Sequence, residues 1–262
     1  KRIIFAEGED ERVLRAAQIL IEERIARPIL IGWPNVIQYR LEKAQLRIRP
    51  GVDFDLVNPE SDERYRECWE AYLKLMVRRG VTPAIAKTAL RSIIGAMLLR
   101  LGYADGLLLG TSGLYAEHLG VIRDLIGKRS DVHTLGAMNY LMLPGRSLFI
   151  CDTHVNQDPS AQEIAEITLM AAEQVRRFGV QPKVALLSHS NFGSSPSASA
   201  RKMSRAASLI DAMSAGELEV DGEMHGDAAL SEEFRRAANP NSVLKGEANL
   251  LVLPNIDAAN IS

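Results

Sequence analysis

Short apolar runs alternate along this chain with longer stretches in which apolar residues recur every three or four positions. The first pattern predicts buried strands and the second amphipathic helices. In the first half, RIIFAE (2–7), PILIG (28–32) and DFDLVNP (53–59) read as strands. Val13, Leu14, Ala17, Leu20 and Ile21 mark a helix over residues 12–25, and residues 35–44 read as another. Asp62 is placed to cap a helix over 64–79, which Gly80 would end. Thr82 and Pro83 form a cap followed by proline at the first helical position, predicting one helix from there to about Leu101.

The second half repeats the theme. GLLLG (106–110), SLFICDT (147–153), VALLSHS (184–190), ELEVDG (217–222) and ANLLVLPN (248–255) read as strands. Helices are expected over 115–126, over 161–178 with Ser160 as cap, over 197–213 and over 224–237. Strands separated by helices of this length predict a parallel α/β architecture. VALLS and LLVLP are apolar on both faces, as a sheet covered on both sides requires. We therefore expect an α/β fold: a three-layer parallel or mixed sheet with helices on both faces. It would form one domain, 1–262, with possible subdomains 1–130 and 131–262 and a boundary somewhere in 128–146. The chain opens on Lys1 and closes on NIDAANIS, a strand exit running into a first helical turn, so both ends read as cut from a longer polypeptide.

Composition narrows the function classes. A chain of 262 residues that is 47% hydrophobic has ample material for a core. A formal net charge of -2 gives no electrostatic case for nucleic acid. The basic pairs Arg78-Arg79 and Arg235-Arg236 read as solvated helix faces. Two cysteines, Cys68 and Cys151, without CxxC spacing argue against a disulfide framework or a thiolate zinc site. With no signal peptide visible and no apolar run long enough to span a bilayer, a cytoplasmic protein without membrane contact is expected.

In parallel sheets, ligands collect where strands end and loops begin. The richest such exit is VALLSHSNFGSS (184–195), where a buried strand runs into Ser188, Ser190, Asn191, Gly193, Ser194 and Ser195. Its hydroxyls and N–H groups suit an anion such as a phosphate, or the segment is a capped turn with incidental serines. In CDTHVNQDP (151–159), Asp152, His154 and Asn156 alternate and would share a face if extended, lining a pocket or holding a metal. Ordinary loop capping explains them equally well. In DGEMHGDAAL (221–230), Asp221, Glu223, His225 and Asp227 suit either acid–base or metal chemistry, or simply a helix N-terminus. GTSG (110–113) and LKGEAN (244–249) complete the set, with Lys245 either meeting a phosphate or solvated. No GxxxxGK[ST], HExxH or EF-hand spacing occurs, and no two glycines lie two positions apart, so the dinucleotide fingerprint GxGxxG is absent.

Taken together, these segments resemble phosphate acetyltransferases. The carriers are LSHSNFGSS (187–195), NQDP (156–159), DGEMHGDAAL (221–230) and VLPNIDAANI (252–261), in the family's order. AEGEDERVLRAA (6–17), RPILIG (27–32), GVDFDLVNPESD (51–62) and EITLMAAEQVRRFG (166–179) are similar to the phosphotransacetylase-like domain fused to bacterial NADP-dependent malic enzymes. The resemblance implies an isocitrate-dehydrogenase-like fold of two subdomains, a homodimer, and an acyl-CoA pocket in the cleft. Family members move an acetyl group from phosphate to the thiol of CoA with an arginine clamp and an aspartate base.

This chain departs from that pattern. Where the family places a phosphate-binding arginine after a leucine, Leu119 is followed by Gly120, and Arg123 lies about one turn further on. The family's Ser-Arg pair and catalytic aspartate fall beyond Ser262, and an Asn-Pro turn usual between the positions of Ser92 and Ile93 is missing.

The resemblance thus implies a regulatory domain binding acetyl-CoA as an effector, with no catalytic residue and no metal site assigned here. The expected ligand contacts are Ser188, Ser190, Asn191, Gly193, Ser194, Ser195 and Asn156, with Lys245 and Arg123 as phosphate partners. An absent part of the polypeptide would decarboxylate malate oxidatively to pyruvate, using NADP and Mg or Mn, within a higher homo-oligomer. The alternatives are an active phosphate acetyl- or butyryltransferase and a pure oligomerisation scaffold.

Overall fold

The structure is a computed structural model and describes residues 1–59, 61–87 and 91–262. It divides into two compact units, Lys1–Gly127 and Lys128–Ser262.

The first unit carries four strands, β1 (Arg2–Phe5), β2 (Arg27–Ile31), β3 (Asp55–Val57) and β4 (Gly106–Leu108), in the order β3-β2-β1-β4. All pairings among them are parallel. Its helices are α1 (Glu11–Glu22), α2 (Pro34–Lys43), α3 (Glu63–Met76), α4 (Pro83–Lys87), α5 (Arg91–Arg100) and α6 (Tyr115–Leu125). Successive strand residues point to opposite faces. Ile4, Ile29 and Ile31 therefore pack with Cys68 and Tyr72 of α3 and Ile94 and Met97 of α5. Phe5 and Leu30 pack with Val13, Leu14 and Ala17 of α1 and Ile37 and Leu41 of α2. Asp62 caps α3 through the Arg64 N–H, and the helix runs into a short 3-10 turn closed by Gly80 at φ 84. That positive φ is what glycine supplies there. Of the single helix expected from Pro83 to Leu101, α4 and α5 are the described parts, and residues 88–90 lie outside the described residues.

The second unit carries β5 (Met138–Leu143), β6 (Arg146–Cys151), β7 (Lys183–Leu187), β8 (Glu219–Met224) and β9 (Leu250–Val252), in the order β5-β6-β9-β7-β8. β5 is antiparallel to β6, and the other pairings are parallel. Its helices are α7 (Ala161–Arg177), α8 (Ala198–Ser214), α9 (Gly226–Leu230), α10 (Glu232–Ala238) and α11 (Ile256–Ile261). Phe149, Val184, Leu186, Leu250 and Val252 face α7 and α8, while Ile150, Ala185, Leu251 and Leu253 share a cluster with Ala228 and Ala229 of α9 and Ala259 of α11. Ser160 closes α7 with a full capping box through Glu163.

Two expectations are corrected in this unit, and one strand is new to them. β5 was not anticipated. The turn Pro144-Gly145, with Gly145 at φ 77, folds residues 138–143 back on β6, with Leu143 opposite Arg146. Residues 224–237 are not one helix. Met224 ends β8, and Ser231 is extended (φ -138, ψ 117) between α9 and α10, capping the latter through the Phe234 N–H. Arg235 does not lie on a solvated face. It is 0% exposed and donates to Ser242 Oγ and to the carbonyls of Ala228, Leu244 and Gly246. Arg236 beside it is exposed and paired with Glu232.

Candidate functional site

The serine-rich exit of β7 is shaped by its neighbour strand β8. The Ser188 N–H donates to the Met224 carbonyl (2.8 Å), continuing the ladder past β7. The Phe192 N–H donates to the Glu223 carbonyl (2.8 Å), and the His225 N–H to Asn191 Oδ1 (2.7 Å). Glu223, 2% exposed, sends its carboxylate under the loop, where Oε1 accepts from Ser190 Oγ (2.8 Å) and the Gly193 N–H (2.7 Å). Ser190, 0% exposed, also accepts from the Ser195 N–H (3.0 Å). Phe192 and Gly193 take φ values of 47 and 86, and the tight reversal they make brings both N–H groups onto Glu223. Glycine is therefore required by conformation at 193, not by space, since nothing would meet an added Cβ within 4 Å.

Sequence reasoning placed Ser188, Ser190, Asn191, Gly193, Ser194 and Ser195 in one anion-binding set, and the structure brings them into one loop. It also divides them. Ser190 and the Gly193 N–H are committed to an internal anion, Glu223. Ser194 is exposed and Ser188, Asn191 and Ser195 are partly so, which leaves these as the groups a ligand can reach. Ser194 Oγ accepts from the Asn191 N–H (2.9 Å). His189, exposed, sets Nε2 within 3.2 Å of Ser195 Oγ and 3.3 Å of Ser197 Oγ, and Ser197 caps α8.

Asn156 and Lys245 are not brought to this loop. Residues 152–156 are not extended. Asp152, 5% exposed, gathers the N–H groups of Ala137, His154, Val155 and Asn156 into a tight turn. The Asn156 side chain is spent on Asp152, the Leu135 carbonyl and Thr134. β9 separates β6 from β7 in the sheet, which sets the two exits apart. Lys245 contacts Glu219 and Lys183, the first residues of β8 and β7, at the strand ends opposite the serine loop. Arg123 belongs to the other unit, on α6, with its side chain 62% exposed and 3.6 Å from Asp124. The acidic cluster 221–227 is dispersed as well. Asp221 accepts from Ser242 and Val243, Glu223 holds the loop, and His225 Nε2 lies 2.9 Å from the His189 carbonyl. Among the described residues no three His, Cys, Asp or Glu side chains converge as a metal site. Cys68 and Cys151 are buried, and burial pushes both thiols up, Cys68 to about 12, which disfavours the thiolate at either.

The GTSG exit (110–113), named in the sequence reading but given no ligand contact, has more chemistry than its residues announced. In the first unit the strand order reverses between β1 and β4, the position where doubly wound sheets take ligands. A cavity of about 330 Å³ opens there, lined by Phe5, Glu7, Arg12, Val13, Leu108 and Thr111 among others. Thr111 Oγ1 is buried without a hydrogen-bond partner. Arg12, 70% exposed, is held by Asp10 at 2.8 Å and by the Thr111 carbonyl at 2.9 Å. That guanidinium holds the Asp10 carboxyl down at about 2. The available signal was the charged exit of β1, GEDER (8–12), which reads equally as a helix cap.

Residues 1–262 match the family described as Phosphate acetyl/butaryl transferase. The NADP-dependent malic enzyme of Escherichia coli K12 is 54% identical over 100% of this chain, which covers 35% of that protein. The NAD-dependent malic enzyme of Rhizobium meliloti is 53% identical over 100% of this chain and 34% of its own length. The chain thus spans about a third of the length of these curated relatives. Among solved structures, the EutD phosphotransacetylase from Staphylococcus aureus superposes with a TM-score of 0.87 at 29% identity, over 99% of this chain and 79% of that one.

Proposed function

Because the chain belongs to the Phosphate acetyl/butaryl transferase family, we propose that it is a phosphotransacetylase-like regulatory domain of a malic enzyme, binding acetyl-CoA as an effector without transferring its acetyl group. The observation that carries this reading is a contrast between what each unit keeps of the family's pattern. In the second unit the serine loop leaves Ser188, Asn191, Ser194 and Ser195 reachable, while in the first unit Gly120 follows Leu119, where the resemblance implies a phosphate-binding arginine. Arg123 is exposed beside Asp124 and does not restore a fixed two-pronged clamp. Packing does not demand glycine at 120, since an added Cβ would meet nothing within 4 Å. Within the first unit by itself, Arg12 and Thr111 line a cavity that suits an anion.

The rest of the polypeptide would carry the oxidative decarboxylation of malate to pyruvate with NADP and a divalent metal. Relatives named for NADP and for NAD match this chain at 54% and 53%, so this segment does not discriminate between the coenzymes. The reading includes an isocitrate-dehydrogenase-like three-layer arrangement, a homodimer through this domain and a cytoplasmic location. Among the described residues no helix is long and apolar enough to cross a membrane. Regulation then requires acetyl-CoA to bind two states of the assembly unequally.

The test is titration calorimetry of the intact protein with acetyl-CoA, alongside a thiol-release assay with acetyl phosphate and CoA. We expect saturable heat and a raised melting temperature with no turnover. No heat and no melting shift at millimolar acetyl-CoA would sink the proposal. Turnover would replace it with an active phosphate acetyl- or butyryltransferase.

A further inference from the structure

Resting on the ligand-binding reading of the serine loop, we propose that Glu223 is its positioning residue: the loop's own anion site is filled from inside, and a ligand meets only the outward groups. The loop 188–195 makes a concavity of inward donors, the arrangement that elsewhere receives a phosphate. Here Ser190 Oγ and the Gly193 N–H, at 2.8 and 2.7 Å, both end on Glu223 Oε1. The adjoining backbone completes the mould. Met224 accepts from Ser188, the Glu223 carbonyl accepts from Phe192, and the His225 N–H donates to Asn191 Oδ1. Residues 223–225 thus fix five points of the loop, at 188 and 190–193, and the pattern DGE followed by DAAL is explained at its third residue by this contact.

The charge has a consequence for recognition. A carboxylate 2% exposed beneath the loop repels a second anion brought to the same donors. The phosphate or thioester oxygen of a ligand is therefore assigned to the outward set, Ser188, Ser194 and Ser195, and not to Ser190 or the Gly193 N–H. Glu223 touches no ligand in this scheme. It acts through the loop.

The experiment uses the intact protein and the variants Glu223→Ala, Glu223→Gln and Ser194→Ala, with acetyl-CoA affinity by calorimetry and amide hydrogen exchange resolved over residues 188–197. Glutamine retains an acceptor at Oε1, so Glu223→Gln should stay within about threefold of wild-type affinity and keep the loop amides protected. Glu223→Ala should speed exchange at Phe192, Gly193 and Ser195 at least tenfold, leave exchange in β6 and α7 unchanged, and weaken acetyl-CoA at least tenfold. Ser194→Ala should weaken acetyl-CoA with the Phe192, Gly193 and Ser195 amides still protected, only the Asn191 amide losing its partner. Unchanged loop exchange in Glu223→Ala overturns the proposal, as does wild-type affinity in that variant. Should Glu223→Ala fail to fold, loss of affinity in Glu223→Gln as severe as in an unfolded loop overturns it too. If wild-type protein binds no acetyl-CoA, the functional reading fails, while the exchange arm still decides the role of Glu223.

Discussion

The loop after β7 spends its inner donors on a buried glutamate, whereas the exit of β4 in the other unit leaves Thr111 Oγ1 unpartnered beside an arginine that is 70% exposed. Both sit at the carboxyl ends of parallel strands, where a ligand is expected. The difference is one of preorganisation. The serine loop holds its shape without a ligand, because every inward polar group already has a partner. The β1–β4 exit keeps unspent capacity, which a buried hydroxyl tolerates only at a cost in stability. Substitutions should therefore act on stability in the second unit's mould and on local electrostatics at the first unit's exit.

The comparison breaks hardest at Arg235, whose guanidinium ties α10 to three carbonyls ahead of β9. Arg235→Ala strips these buried acceptors and leaves a void, and should cost about 3 kcal/mol or more in urea unfolding. Within the loop, Ser190→Ala removes one of the two donors to Glu223 Oε1 and the acceptor of the Ser195 N–H, and should cost about 1–3 kcal/mol. Ser194→Ala, at an exposed position, should stay within about 0.5 kcal/mol. Equal costs for the two serines would erase the inward–outward division.

Gly120→Arg sharpens the contrast from the other side. Replacing a mid-helix glycine of α6 that has open space around it should stabilise the fold by about 0.5–1 kcal/mol, read as a higher melting temperature. The same variant should bind inorganic phosphate more tightly than wild type. The smallest effect is at Asp10. Its carboxyl is lowered to about 2 from 3.8, so the stability it contributes is fully present above about pH 4 and is lost as pH falls toward 2. With Arg12 70% exposed, that contribution is below about 1 kcal/mol. Asp10→Asn keeps a competent cap, and the stability gap between it and wild type should narrow as pH falls from about 4 to 2.

Much of the fold was legible because apolar runs such as VALLS and LLVLP must be buried on both faces, and because Asp62, Ser160 and Gly80 punctuate the helices they were read to punctuate. β5 was not legible. MNYLML lacks period-two alternation, and its side chains stay partly exposed, Met142 by 79%. Arg235 was misread since a helical basic pair looks solvated until the folded chain supplies carbonyls around it. The serine loop was legible as chemistry, but which of its donors face inward depends on Glu223, 28 residues beyond Ser195 and on another strand. Asn156 and Lys245 were grouped with it as residues of polar strand exits and through the family resemblance. The sheet order and the direction of the strands, which no local pattern carries, keep them apart.

The central claim is a prebuilt loop that binds acyl-CoA through its outer surface. Hydrogen exchange of the intact protein with and without millimolar acetyl-CoA tests it most directly. Added protection across residues 188–197 is the predicted result, and exchange there unaltered by acetyl-CoA would contradict it.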